Sequence, residues 1–167
     1  MNKSEIQTLF DYNYWANRQV LESAAGLPDG LYLAPYKLSH GSLRGALVHI
    51  LGAEWVWRMR IQEGVSPSAL LAEADFPTLA VLQQRWAEEE RQMRVFLSSL
   101  DDSALSGLIH YNTTRGEPQQ NPLWHLLVHV VNHGTQFRAE AAVAESDYGR
   151  SPGNLDFIYY LRQQAKS

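Results

Sequence analysis

The sequence predicts an all-α protein: a four-helix bundle followed by a short C-terminal helix. Three observations predict it. Four segments of about twenty residues repeat apolar side chains at the helical interval, no segment of similar length alternates as a strand does, and Gly- and Pro-containing breaks separate them. With 167 residues, 45% of them hydrophobic and 19% charged, the chain can bury a core and reads as one domain over residues 1–167. No internal repeat or low-complexity stretch interrupts it.

The first helix is expected from Ser4, as N-cap, to Ala25. Ile6, Leu9, Phe10, Asn13, Asn17, Val20 and Leu21 form its inward stripe, and "GLPDG" stops it. A long connection, "LYLAPYKLSHGS", follows and leaves room for a non-sequential arrangement of helices. The second helix runs from Ser42 to Gln62, with Leu43, Ala46, Leu47, Ile50, Ala53 and Trp57 inward, and ends at "EGVSPS". The third opens at Pro77, a good first-turn residue, and reaches Leu100. Its "RWAEEERQMR" reads as a solvated face with i,i+4 charge pairs. "LIHYNTTRGEPQQN" reads as extended chain and turn, a short hairpin at most. The fourth helix is expected from Pro122, capped by Asn121, to Ser146; after "YGRSPGN" a last helix covers Leu155 to Gln164.

Composition excludes several functions. Net charge is −4 and no basic cluster forms, so nothing supports nucleic-acid binding. Cysteine is absent, which removes disulfides, thiolate metal sites and a Cys nucleophile. Residues 1–19 lack the apolar run of a signal peptide and no stretch has the length of a membrane span, so the expected location is cytoplasmic, with no membrane partner.

The chemistry concentrates in "LLVHVVNHGTQFRAE", residues 126–140, where His125, His129 and His133 recur every four positions. On a helix they share one face, drifting about 40° at each step. His129 and His133 can share an ion because i,i+4 neighbours lie about 5–6 Å apart at Cβ. His125 and His133 stand about 12 Å apart along the axis, too far for metal–nitrogen bonds of about 2 Å. A third ligand must come from another helix, and His49, in "GALVHILGAEW" near the apolar stripe, is the best donor. A histidine there either hydrogen-bonds in the core or binds something. His40 and His110 lie in connections and read as surface residues. A zincin is excluded, because Val130, Val131 and Asn132 leave no general base between His129 and His133. A di-iron bundle needs Glu-x-x-His on two helices and none occurs. Phosphate loops and a nucleophile elbow are also missing. Arg138 reads as a structural ion-pair residue with Glu54 or Glu140 as partner, and Asn13 and Asn17 as amides hydrogen-bonded in the core. Trp55 and Trp57 point about 200° apart on the second helix, so one of them is available for an interface or a ligand pocket.

"FDYNYWANRQVLESAAGL", "SHGSLRGALVHILGAEWVW", "FPTLAVLQQRWAEEE", "RGEPQQNPLWHLLVHVVNHGTQFRAE" and "SPGNLDFIYYLR" together resemble the DinB-like, damage-inducible family, within the superfamily that includes thiol-dependent transferases. The resemblance runs nearly end to end. It implies crossed helix connectivity, a homodimer, and a divalent metal (nickel or zinc) held by one His of the second helix and two of the fourth. It also implies a small-molecule substrate or low-molecular-weight thiol as partner. By position, His49 matches the second-helix ligand and His133 the first ligand of the fourth helix. The remaining ligand of the family stands where this chain has Phe137, before Arg138. Three outcomes stay open. His129 takes the role, giving His49, His129 and His133; or water or a side chain such as Gln136 or Glu140 completes a weak site; or the site is lost and His49 and His133 are only hydrogen-bonded. The expected function is accordingly a metal-dependent transferase or hydrolase with a degenerate site, with catalytic residues unassigned. The alternative is a metal-free binding or dimeric assembly module.

Overall fold

The computed structural model describes residues 1–28 and 30–166. Asp29, within the expected "GLPDG" stop, lies outside them. Among the described residues the chain forms α1 (Lys3–Ala25), α2 (Leu43–Gln62), α3 (Leu79–Ser99), β1 (Leu108–Asn112), β2 (Pro118–Pro122), α4 (Leu123–Asp147) and α5 (Phe157–Gln164). The protein is thus mostly helical, with one small two-stranded antiparallel sheet. No helix among the described residues is long and apolar enough to cross a membrane.

Helix starts follow local hydrogen bonding. α1 is capped by Asn2 and not by Ser4: the Asn2 side chain accepts from the Glu5 amide, and Glu5 accepts from the Asn2 amide in return. Ser42 caps α2 by accepting from the Gly45 amide, and Thr78 caps α3, which moves Pro77 just outside that helix. Asn121 is no cap. It pairs with Ile109 in the hairpin, its side chain accepts from the Tyr111 hydroxyl, and Pro122 occupies the N-cap position of α4. The hairpin holds because Ile109 and Tyr111 alternate inward and pack on the core. α5 starts at Phe157, two residues later than Leu155.

α4 packs against α1 and α2, and α3 packs against the same two helices. The inward stripes meet as expected except that Leu9 of α1 and Trp57 of α2 are only half-buried. Leu43, Ala46, Leu47 and Ile50 of α2 are fully buried, joined by Leu51 from outside the expected stripe, and each Leu or Ile contributes about 1.5–3 kcal/mol by leaving water. The charged face of α3 departs from the simple solvated reading. Glu88 with Arg91 and Glu90 with Arg94 are exposed pairs, but Glu89 belongs to the buried stripe Leu82–Trp86–Glu89–Met93–Leu97 and takes Arg58 of α2 as partner.

A polar network ties α1, α2, α3 and α4 together at the centre. Arg138 donates to Asn13 Oδ1 (2.6 Å), Asn17 Oδ1 (2.7 Å) and Thr135 Oγ1 (3.1 Å). The amide nitrogens of Asn13 and Asn17 donate in turn to Glu54 Oε1 (2.8 and 2.9 Å), and Trp86 Nε1 donates to Glu54 Oε2 (2.8 Å). Arg138 therefore forms no direct ion pair with Glu54 or Glu140; two asparagines relay between opposite charges. Burial pushes the Glu54 carboxyl up and the Arg138 guanidinium down, and the amide donors and the Arg138 charge pull Glu54 back. The inward stripe of α1 carries two amides because this network needs both.

Candidate functional site

The site lies where α2 meets α4 beside the hairpin. His49 of α2 and His133 of α4 bring their Nε2 atoms to 3.1 Å. One ring donates and the other accepts, so the two carry opposite tautomers, Nε2–H on one and Nδ1–H on the other. Burial, then the other imidazoles, hold both pKa values down at about 4. Both rings are therefore neutral at pH 7, the state in which imidazole ligates metals.

Phe137, one turn after His133, fills the space beside the pair. Its ring centroid lies 4.3 Å from that of His49 and 4.6 Å from that of His133. His40 completes the cluster. It stacks on His49 at 3.8 Å with the planes 21° apart, and it meets Phe137 at 5.3 Å. This corrects the surface reading of His40, whereas His110 is exposed on β1. The loop delivers His40 because it is pinned on both sides. Ser39 donates its amide and hydroxyl to Glu140 of α4, Tyr36 donates to Asp147, and the Arg44 amide donates to the Tyr32 carbonyl. A Cβ on Gly45 would fall on the His40 carbonyl, so glycine is what lets the loop close on α2. Spacing held no sign of His40; the one local cue was the glycine pair bracketing the turn into α2.

His129 stands apart from the pair. It is exposed, its ring is 5.9 Å from that of His133, and it packs edge-on to Trp57 at 5.0 Å. Burial and then the Arg60 charge lower its pKa. His125 is exposed and lies against Trp124. Glu140 is committed to Ser39, and Gln136 is exposed. Of the two tryptophans of α2, both half-buried, Trp57 is the one at the site, between His129 and Tyr111.

Together His49, His129 and His133 line one wall of a cavity of about 580 Å³, closed by Ala53, Val56 and Trp57 of α2, Ala69 and Leu70 after it, and Tyr111, Thr113 and Thr114 of the hairpin. That volume suits a small organic molecule. A second cavity, of about 460 Å³, lies between α1, α4 and α5, but its arginine, Arg138, is already bonded to Asn13, Asn17 and Thr135.

Against a metal ion, the donors fit in part. Two nitrogens 3.1 Å apart can share one ion through bonds of about 2.0–2.1 Å. No third donor joins them: among the described residues, no three His, Cys, Asp or Glu side chains converge as a metal-holding group. Phe137 packs on both rings from the next turn of α4, and it offers no lone pair.

The chain is similar to "Protein DinB" of Bacillus subtilis (strain 168), 25% identical over 170 residues, a match covering 95% of this chain and 96% of that protein. The family model of the DinB family matches residues 1–167. The chain belongs to the DinB family.

Proposed function

We propose that the cavity beside His49 and His133 is a small-molecule site and that the pair holds a divalent cation of the nickel or zinc kind, with His129, on the same wall but 5.9 Å from His133 ring to ring, turning toward the ion as the third ligand. The observation that carries the reading is the 3.1 Å approach of two neutral imidazole nitrogens in the wall of a pocket. When bound, such an ion supplies Lewis acidity and lowers the pKa of a water or thiol beside it. The chain's own residues do the rest. Trp57, Val56 and Leu70 give the pocket apolar walls, Thr113 and Thr114 offer hydroxyls, and the neutral imidazoles keep their lone pairs for the ion. This makes the protein a transferase or hydrolase in type, with a substrate or low-molecular-weight thiol entering from the hairpin side. Metal analysis of untagged protein, alongside His49→Ala and His133→Ala, tests it. The expected result is one ion per chain, lost in both variants; absence of stoichiometric metal after repletion sinks the reading.

One observation favours a second reading, a metal-free binding module. Phe137 packs on the rings of His40, His49 and His133 and takes room that a further ligand would need. The same metal analysis separates the two.

The topology and assembly implied by the resemblance belong to this proposal. Crossed connectivity, with α1 and α2 at opposite corners, is supported by α3 and α4 each packing on both of them. A homodimer is supported by the exposed Phe157, Ile158 and Tyr159 of α5. Sedimentation showing a clean monomer at high concentration removes the dimer.

A further inference from the structure

Three arginines are buried in the bundle: Arg58 at 4%, Arg60 at 6% and Arg138 at 1% exposure. Two are fully engaged. Arg58 is paired with Glu89, and Arg138 with Asn13, Asn17 and Thr135. Arg60 is not. Its Nε is buried without a hydrogen-bond partner, and no ion pair involves it among the described residues. Its guanidinium carbon lies 4.8 Å from the Trp57 ring centroid and 5.4 Å from that of Tyr111, so two aromatic faces hold the group in place without using its donors. It lines the same cavity as His49, His129 and His133, and no Asp or Glu lines that cavity.

A buried cation with idle donors is costly unless something pairs with it. Arginine presents a planar fork of N–H groups that matches a carboxylate. The rest of the lining is apolar (Ala53, Val56, Ala69, Leu70), with Thr113 and Thr114 at the hairpin. We infer that this pocket binds a small organic anion, a carboxylate with an apolar body, and that Arg60 pairs with its charged end while the other end lies toward the His49–His133 pair. The inference rests on reading the pocket as a small-molecule site, but it needs no metal.

The test uses the full chain, once stripped with chelator and once repleted with zinc, and two probes of matched shape, benzoate and neutral benzamide. The change in tryptophan fluorescence that Trp57→Phe abolishes reports occupancy, since Trp57 alone of the five tryptophans lines the pocket. Benzoate is expected to give a saturable change in the stripped protein, at least about tenfold tighter than benzamide, and Arg60→Gln to remove that preference. Arg60→Lys keeps the charge without the fork and is expected to recover part of it. Side-chain NMR of wild-type protein labelled with ¹⁵N-arginine covers the case in which Arg60→Gln fails to fold: the Arg60 Nε–H resonance should move with benzoate and stay put with benzamide. Equal affinity for the two probes, or an unmoved Arg60 resonance at saturating benzoate, overturns the inference. Because the stripped protein carries the decisive reading, absence of metal binding counts against the metal proposal and leaves this one standing.

Discussion

The Nε2 atoms of His49 and His133 stand 3.1 Å apart, and the Phe137 ring packs against both imidazoles. Two imidazole nitrogens thus face each other, with an aromatic ring beside them. Phe137→His offers a further imidazole from the same turn of α4. The expected outcome is zinc or nickel binding tightened by at least about tenfold, or ~1.4 kcal/mol, read by calorimetric titration. Unchanged affinity would show that the Phe137 position does not face the pair's open side.

The same pair makes the metal-free protein acid-sensitive. Both histidines have folded-state pKa values near 4, below the ordinary value of 6.5. The unfolded chain therefore binds more protons between those limits, and stability present above pH 6.5 is lost as pH falls toward 4. Urea unfolding at pH 7 and pH 4.5 should show a larger loss for wild type than for His133→Asn.

Glu145 works in the opposite direction. It is fully buried in α4 and its carboxylate oxygens lack a hydrogen-bond partner, so burial pushes its pKa up to about 8, with the Ser23 hydroxyl nearby resisting weakly. Here the folded state holds the proton longer. Stability falls as pH rises from about 4.5 to 8 and is level beyond. Glu145→Gln keeps the size and removes the charge. Thermal melts at pH 9 should show the variant more stable than wild type, with the gap closing by pH 5; a gap independent of pH would contradict this account.

Gly134 presents a case where helix propensity misleads. Alanine is the better helix former by about 1 kcal/mol. Yet a Cβ at this position would lie 2.6 Å from Arg138 Nη1 and 2.8 Å from Asn13 Oδ1. Gly134→Ala is therefore expected to destabilise by about 1–3 kcal/mol through displacement of the buried network. Chemical denaturation measures it, and a neutral or stabilising result would mean that the network shifts freely.

The four long helices were legible because each carries its own apolar period over five or more turns, and the paired asparagines of α1 announced a polar core. The ends were less so. Ser4 and Asn121 are good capping residues, but Asn2 has Glu5 to complete a reciprocal cap, and Asn121 is held in a strand. Helix geometry called for a partner to the fourth-helix histidines from another helix and pointed to His49; its match with His133 in particular came from the resemblance. Neither announced His40, because its place depends on Tyr36, Ser39 and Gly45 fixing a loop against two helices, and no local period encodes that. Arg60 was hidden for a related reason: nothing in "WRMR" tells that the hairpin's Tyr111 will cover the end of α2.

The docking of α4 between α1 and α2 bears on how the chain is made. His49 and His133 are 84 positions apart, and Arg138 reaches back 125 positions to Asn13. On a ribosome, α1, α2 and α3 emerge before α4 exists. Until then the buried faces of α1 and α2 and the charge of Glu54 await their partners, so the last long helix closes core and pocket in the same step. A nascent chain arrested before Leu123 should therefore be the species most in need of a chaperone.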